Sequence, residues 1–253
     1  MLGNKYRIIG TVGKGNFGSI YRGINIRTQE EVAIKMEPCD SDSTLLKHET
    51  QVYQYLGSTP GFPTVKWFGV HETNYYMVLS MLGHPLSVLK ENMRTLSLPM
   101  ALAIGKQMIE RLEYVHGRGL IHRDVKPDNF LLGRKELSSI IHLIDFGFCK
   151  RYTDNEGQHI QMVKDGTHMI GTPNFVSVNV ANGTTPSRRD DIESCIYIIL
   201  YLITESWNNI SRERKLSYRE NPIVPECIRQ LLSYCDTLEF DETPDYQAIK
   251  LFL

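Results

Sequence analysis

The chain has 253 residues, 42% of them hydrophobic and 23% charged, which is enough apolar matter to bury a core. A formal net charge of −1 excludes a global field that would draw the protein to nucleic acid or to an anionic membrane. Five cysteines (Cys39, Cys149, Cys195, Cys227, Cys235) form no CxxC pair, so reduced thiols in the cytoplasm or nucleus are expected rather than a disulfide framework. No charged-then-apolar signal segment opens the sequence and no lipidation motif stands at either end. The most apolar run, Cys195 to Ile203, is far too short to span a bilayer and reads as a buried helix in a soluble protein.

Residues 5–37 alternate in the strand manner with glycine-rich interruptions, which predicts a twisted antiparallel meander. Within it, Gly13, Lys14, Gly15, Asn16, Phe17 and Gly18 lead into Ser19 and Ile20. Such a glycine pattern is weak by itself, and an unliganded turn would account for it. Dinucleotide binding would require a helix to begin at Gly18. The run Ser19 to Ile24 alternates like a strand instead, so the loop reads as a hairpin flap whose backbone can close over phosphates.

The next strand carries VAIK at 32–35. Val32, Ile34 and Met36 face one way, and Ala33 and Lys35 face the other, into a cleft. A lone strand lysine is more often a solvated edge residue. Residues 44–56 then take helical spacing, with Leu45, Glu49, Val52 and Leu56 on one face. An unpaired carboxylate on that face is costly to bury, and Lys35 is the cation that answers Glu49, unless Glu49 swings to water at the helix end.

Strand-like runs follow near 63–70 and 74–82, and Leu82–Gly83–His84–Pro85 breaks the pattern as a connector. From about residue 86 the character is helical. Ala101, Ile104, Met108, Leu112 and Val115 step by threes and fours along a helix ending at Gly117 and Gly119. Short strands are predicted near 130–132 and 140–144, and helices at 188–205, 225–236 and 244–252. The turn-rich stretch 146–187 is long for a bare connection, which marks it as functional. The fold class is α+β: one domain over 1–253, with a β-rich N-lobe at about 1–82 and a mainly helical C-lobe at about 83–253.

Residues 122–129 read HRDVKPDN, a set that suits phosphoryl transfer to an alcohol. Asp124 is the base that orients the hydroxyl and accepts its proton. Asn129 and Asp145 (in IDFG at 144–147) offer hard oxygens for magnesium between phosphates. Lys126 balances charge on the γ-phosphate. Asp128 reads as a structural hydrogen-bonding group and His122 as a packed core histidine. Arg123 either binds a phosphate on the following loop or pairs with a neighbouring carboxylate.

Taken in order, GKGNFG, VAIK, the helical Glu49, HRDVKPDN and IDFG resemble the eukaryotic protein kinase family over essentially the whole chain. The resemblance implies a bilobal protein kinase fold, ATP and Mg2+, and transfer of the γ-phosphate to protein substrates. Lys126 is similar to the serine/threonine kinase pattern, and Gly171–Thr172 to the pair in which the threonine bridges base and lysine. It also implies an adenine pocket under Ile20 and Ala33, with Leu79 at its back and Ser80, Met81 and Leu82 in the connector.

The second half is similar to the casein kinase I group. Ser177–Val178–Asn179 replaces Ala-Pro-Glu, and SRRDDIES at 187–194 would place Asp191 on the catalytic-loop backbone. WFG at 67–69 and LEFDETPDY at 238–246 look like that group too. This implies a monomer acting on Ser/Thr in acidic or pre-phosphorylated protein segments, without phosphorylation of Thr167 or a neighbour. Asn174 departs from the group, which carries a phosphate-binding arginine there. The segment after Trp207 is short, and its Arg212, Arg214 and Lys215 either compensate or form a solvated charged surface. Two rival readings exist. A kinase-fold scaffold (pseudokinase) would show loss of Lys35, Asp124, Asn129 or Asp145, and all four are present. A small-molecule kinase would not be expected to join VAIK, KPDN, Gly-Thr and SRRDD.

Overall fold

The computed structural model describes residues 1–15, 18–40, 45–154, 156–163 and 169–253; Asn16, Phe17 and Thr167 lie outside the described residues. In chain order the elements are β1 (Tyr6–Gly15), β2 (Gly18–Asn25), β3 (Glu31–Pro38), α1 (Leu45–Leu56), β4 (Val65–His71), β5 (Asn74–Ser80), α2 (Leu86–Met93) and α3 (Leu98–Gly117). Then come β6 (Leu120–Ile121), β7 (Phe130–Leu132), β8 (Ile141–Leu143), β9 (Lys150–Arg151), α4 (Val178–Ala181), α5 (Arg188–Ile203), α6 (Arg212–Ser217), α7 (Glu226–Thr237) and α8 (Tyr246–Phe252). The molecule is α+β, as the sequence predicts. Its backbone divides into two compact units, Met1–Gly83 with Leu131–Phe148, and His84–Phe130 with Cys149–Leu253.

The first unit is built on an antiparallel sheet of order β1-β2-β3-β5-β4. Alternation sorts its side chains as predicted. Val32 and Ile34 join Leu2, Tyr6, Tyr76 and Val78 in one apolar cluster, with Met36 against it. The opposite pleat sets Ala33 against Leu79 and Lys35 against Met77 and Ile20. Gly18 is required where β2 crosses β3, because a Cβ there would lie 1.9 Å from the Met36 carbonyl oxygen. Helix α1 buries Leu46, Glu49, Thr50, Val52, Tyr53 and Leu56. Leu46 is buried where the spacing predicts Leu45, which is half-buried: the buried face is wide enough to include Thr50 and Tyr53, and Leu46 lies seven residues, two turns, before Tyr53.

The second unit centres on α3 packed against α5. The predicted stripe of α3 (Ala101, Ile104, Met108, Leu112, Val115) is buried throughout. Helix α5 is buried on nearly every side, as befits a helix whose run from Cys195 to Ile203 carries no charge. Its first turns are charged yet largely buried, and their carboxylates are each met by donors. Ser187 and Asp190 form a capping box that starts the helix. All five cysteines are free thiols. Among the described residues, no helix is long and apolar enough to cross a membrane.

Candidate active site

The first unit assembles one cluster around Lys35. Its Nζ donates to Glu49 Oε2 at 2.7 Å and to Asp145 Oδ1 at 2.8 Å. Glu49 sits on the buried face of α1, so the swing to water does not occur. Burial works against the lysine charge, but Glu49 and Asp145 together outweigh it and hold its pKa above the ordinary lysine value. Burial likewise pushes the Glu49 carboxyl up, with Lys35 opposing. The Lys35 side chain keeps 21% exposure, and an ammonium has three protons, so one proton remains for an outside oxygen.

Asp145 adopts φ 67°, a left-handed conformation uncommon for a non-glycine residue. Two contacts hold it there. The Asp145 amide donates to the Tyr53 hydroxyl at 3.1 Å, and the Phe146 ring packs edge-on against Tyr53 at 5.1 Å. Gly13, Ile20 and Ala33 lie half-buried on β1, β2 and β3, with Leu79 buried opposite Ala33. A Cβ on Gly13 would meet nothing within 4 Å, so no contact inside the protein demands a glycine there. Lys14 and Gly15 close the β1 strand. Ser80 exchanges two bonds with Thr64: its amide donates to the Thr64 carbonyl, and its hydroxyl accepts the Thr64 amide, both at 3.0 Å. Met81 and Leu82 follow, half-buried and outside regular structure.

The second unit assembles the HRDVKPDN loop. Asp191, near the start of α5, accepts the backbone amides of His122 at 2.7 Å and Arg123 at 3.0 Å. His116 Nε2 lies 3.0 Å from the same carboxylate, and its Nδ1 lies 2.7 Å from the Tyr246 hydroxyl. Burial pushes the Asp191 carboxyl up, but His116 and the loop outweigh burial and hold it below the usual range. That anchor lets Arg123 take φ 70°, which turns the chain so that Asp124 follows a tight corner. His122 is fully buried, and its Nδ1 accepts the Asp124 amide at 3.3 Å, so it packs as expected.

Asp124, buried to 4% exposure, is the focus of this unit. Thr172 Oγ1 donates to its Oδ1 at 2.8 Å, and Lys126 Nζ donates to its Oδ2 at 2.6 Å. The carboxylate therefore lies between threonine and lysine. Thr172 does not itself bridge base and lysine as expected: the Asp124 carboxylate joins the two donors, one on each oxygen. Asn129 Nδ2 donates to the Asp124 carbonyl at 2.8 Å, a bond that does not use its amide oxygen. Asp128 accepts the Ser87 hydroxyl at 2.7 Å at the start of α2, the structural role read from sequence. Among the described residues, no three His, Cys, Asp or Glu side chains form a metal cage.

The stretch 171–178 is held from several directions. Gly171 has φ +107°, and a Cβ there would lie 2.8 Å from the Arg123 carbonyl oxygen. Ser177 Oγ donates to Asp190 at 2.5 Å, and the Val178 amide donates to Glu193 at 3.2 Å. Burial raises the Asp190 carboxyl to about 6. Glu193 also pairs with Arg219, which pairs in turn with Asp236. Asn174 Oδ1 accepts the Ile210 amide at 3.2 Å, so it ties down the short segment after Trp207. The Trp207 indole stacks between Phe175 at 6.0 Å and Tyr218 at 5.7 Å.

Lys215 departs from both sequence expectations. It is neither a solvated charge nor an outward cation, being only 1% exposed. Its Nζ donates to the carbonyls of Pro173 at 2.8 Å and Val176 at 2.6 Å. Arg212 and Arg214 are exposed on the same helix. Tyr53, which holds the Asp145 amide, lies one helical turn after Glu49, and that spacing is the one sequence signal for it. Helix α6 gives no such signal, because its six residues are too short for periodicity to show.

A family model, the protein kinase domain, matches residues 6–247, nearly the whole chain and every residue of both clusters.

Proposed function

We propose, from the premise that this chain belongs to the protein kinase domain family, that it transfers the γ-phosphate of ATP to serine or threonine hydroxyls of proteins. The observation that carries the proposal is Asp124: a buried carboxylate, on a loop pinned by Asp191, with Lys126 and Thr172 both ending on it. In the reaction the substrate O–H proton passes to Asp124. The substrate oxygen bonds to the γ-phosphorus while the bond to the β-phosphate oxygen breaks, and ADP leaves. Lys126 moves its charge from Asp124 toward the transferring group. Thr172 keeps the carboxylate oriented while it takes the proton.

The nucleotide fits the residues present. Lys35 retains a proton for the α- and β-phosphates, Gly13 leaves open space beside the backbone, and Ala33 is small opposite Leu79. Asn129 and Asp145 are the hard oxygen donors suited to magnesium, which keeps few protein ligands and takes the rest from phosphate and water. The metal would neutralise charge on the phosphates during transfer. Ile20, Leu79, Ser80, Met81 and Leu82 would line the adenine site, and Glu49 would hold Lys35 in place.

The SRRDDIES frame, the Ser177–Val178–Asn179 segment and Lys126 support a casein kinase I-like serine/threonine enzyme acting as a monomer in the cytoplasm or nucleus. Acidic segments are the favoured substrates, because Arg212 and Arg214 are exposed while Asn174 and Lys215 are spent on internal bonds. The test is phosphate transfer from Mg-ATP to an acidic serine peptide, its tyrosine counterpart and a pre-phosphorylated serine peptide, with Asp124→Ala as control. Transfer by the wild type to the acidic serine peptide is expected. Equal transfer by Asp124→Ala would remove Asp124 from the mechanism. Preference for the primed peptide would overturn the substrate assignment. ATP binding without transfer to any peptide would favour the pseudokinase reading.

A further inference from the structure

Lysine is almost never fully buried without a carboxylate partner, because losing hydration costs several kcal/mol in effect. Lys215 and Lys90 both depart from that rule, and Lys215 is the more deeply buried of the two. It lies inside at 1% exposure and bonds two carbonyls, with the Tyr197 ring 5.2 Å from its Nζ. Glu193, whose charge acts on it, is taken up by Val178, Tyr197 and Arg219. A methionine of similar length would fill the same space without the desolvation cost. Packing alone therefore does not explain a cation here.

The two carbonyls explain it. Pro173 and Val176 bracket a four-residue turn, within which the Phe175 and Val176 amides both return to the Thr172 carbonyl at 2.8 and 3.1 Å. Those bonds fix the backbone of Thr172, whose hydroxyl holds Asp124. One ammonium thus ties α6 to the turn that carries the threonine. Asn174 and Phe175 add the Ile210 bond and the Trp207 stack to the same turn.

We propose that Lys215 is a positioning residue for phosphoryl transfer: by clamping the carbonyls of Pro173 and Val176 it sets the Thr172 hydroxyl, and through it the Asp124 carboxylate, against the incoming substrate hydroxyl. The proposal rests on the kinase reading above. Lys215 touches neither substrate nor nucleotide; it acts through the turn. Because the reacting groups must align within fractions of an ångström, loosening such a support can cost about 10²-fold in rate.

The experiment compares wild type, Lys215→Met and Lys215→Arg in steady-state kinetics with Mg-ATP and the acidic peptide. Hydrogen exchange of the 172–178 amides is measured alongside. Lys215→Met is expected to lower kcat about 10- to 100-fold, with the KM for ATP unchanged within about twofold, because no nucleotide contact is lost. Its Phe175 and Val176 amides should exchange faster. Lys215→Arg, which keeps the donors and the charge, should recover most of the rate. Wild-type kcat in Lys215→Met overturns the proposal, as does a drop that Lys215→Arg shares fully, which would mean that fit rather than the charged clamp matters. Should the wild type transfer nothing, the kinase reading fails by itself. The exchange arm then judges the clamp: unchanged 172–178 protection in Lys215→Met refutes it, and faster exchange confined there upholds it.

Discussion

Lys35 and Lys215 are both largely enclosed, and their surroundings drive them in opposite directions. Lys35 lies between two carboxylates and is held charged. Lys35→Met would leave Glu49 and Asp145 without their shared cation, and phosphate positioning would be lost. We expect transfer to fall by about 10²–10³-fold, the usual cost of removing one electrostatic donor from a reacting site; full activity in a peptide assay would sink the Lys35–Glu49 role. Lys215 has carbonyls rather than carboxylates, and burial lowers its pKa to about 8. Its folded pKa is thus below its unfolded value. Between about pH 8 and pH 10.5 the unfolded chain holds the proton and the folded chain does not, so stability from this group rises with pH across that window. The rise is on the order of 3 kcal/mol at most. Lys215→Met removes it. Urea melts of both proteins at pH 7.5 and 9.5 should show the wild type gaining on the variant, and parallel melts would contradict the shift.

At the scale of elements, the charged start of α5 frames the chemistry. Asp190 holds Ser177, Asp191 holds the His122 and Arg123 amides, and Glu193 holds the Val178 amide. Asp191→Ala strands two buried amides, each costing about 1–3 kcal/mol when unsatisfied. The variant should lose peptide transfer together with several degrees of thermal stability; a variant with unchanged melting temperature would mean the loop is held by something else. Gly171→Ala tests the adjoining corner, where an added Cβ meets backbone at 2.8 Å and φ is +107°. It should cost about 1–3 kcal/mol and displace Thr172. Of this framework the Asp191 anchor was legible through the resemblance of SRRDDIES at 187–194, and strand alternation alone turned Lys35 away from Val32 and Ile34. The Asp190 and Glu193 contacts were not legible, because nothing in the sequence names their distant amide and hydroxyl partners. The supports from Asn174, Trp207 and Lys215 were not legible. They come from a segment with neither period nor length, and a buried lysine looks identical in sequence to a solvated one. Leu46 in place of Leu45 is a smaller instance, a single step of helical phase.

At the scale of the whole molecule, the chemistry-bearing residues are shared between the two units. Lys35, Glu49 and Asp145 belong to the first, and Asp124, Lys126, Asn129 and Thr172 to the second. The proposed magnesium ligands are divided in the same way, Asp145 in one unit and Asn129 in the other. Nucleotide should stabilise the chain through Lys35 and the adenine site, and metal should add to that stabilisation through Asp145. At a ligand concentration about a hundred times Kd, mass action adds about 2.7 kcal/mol. For a protein of this size that corresponds to a melting-temperature rise of roughly 5–10 °C. The expected pattern is a full rise with Mg-ATP, a smaller one with ATP and a chelator, and no transfer in the chelated sample. Asp145→Asn should cut the metal-dependent part of the rise and abolish transfer, because an amide binds the ion less strongly than a carboxylate. Asp124→Asn should keep the whole rise and still fail to transfer, since its task is the hydroxyl proton and not the nucleotide. A metal-independent rise, equal in wild type and Asp145→Asn, would remove Asp145 from the proposed metal ligands.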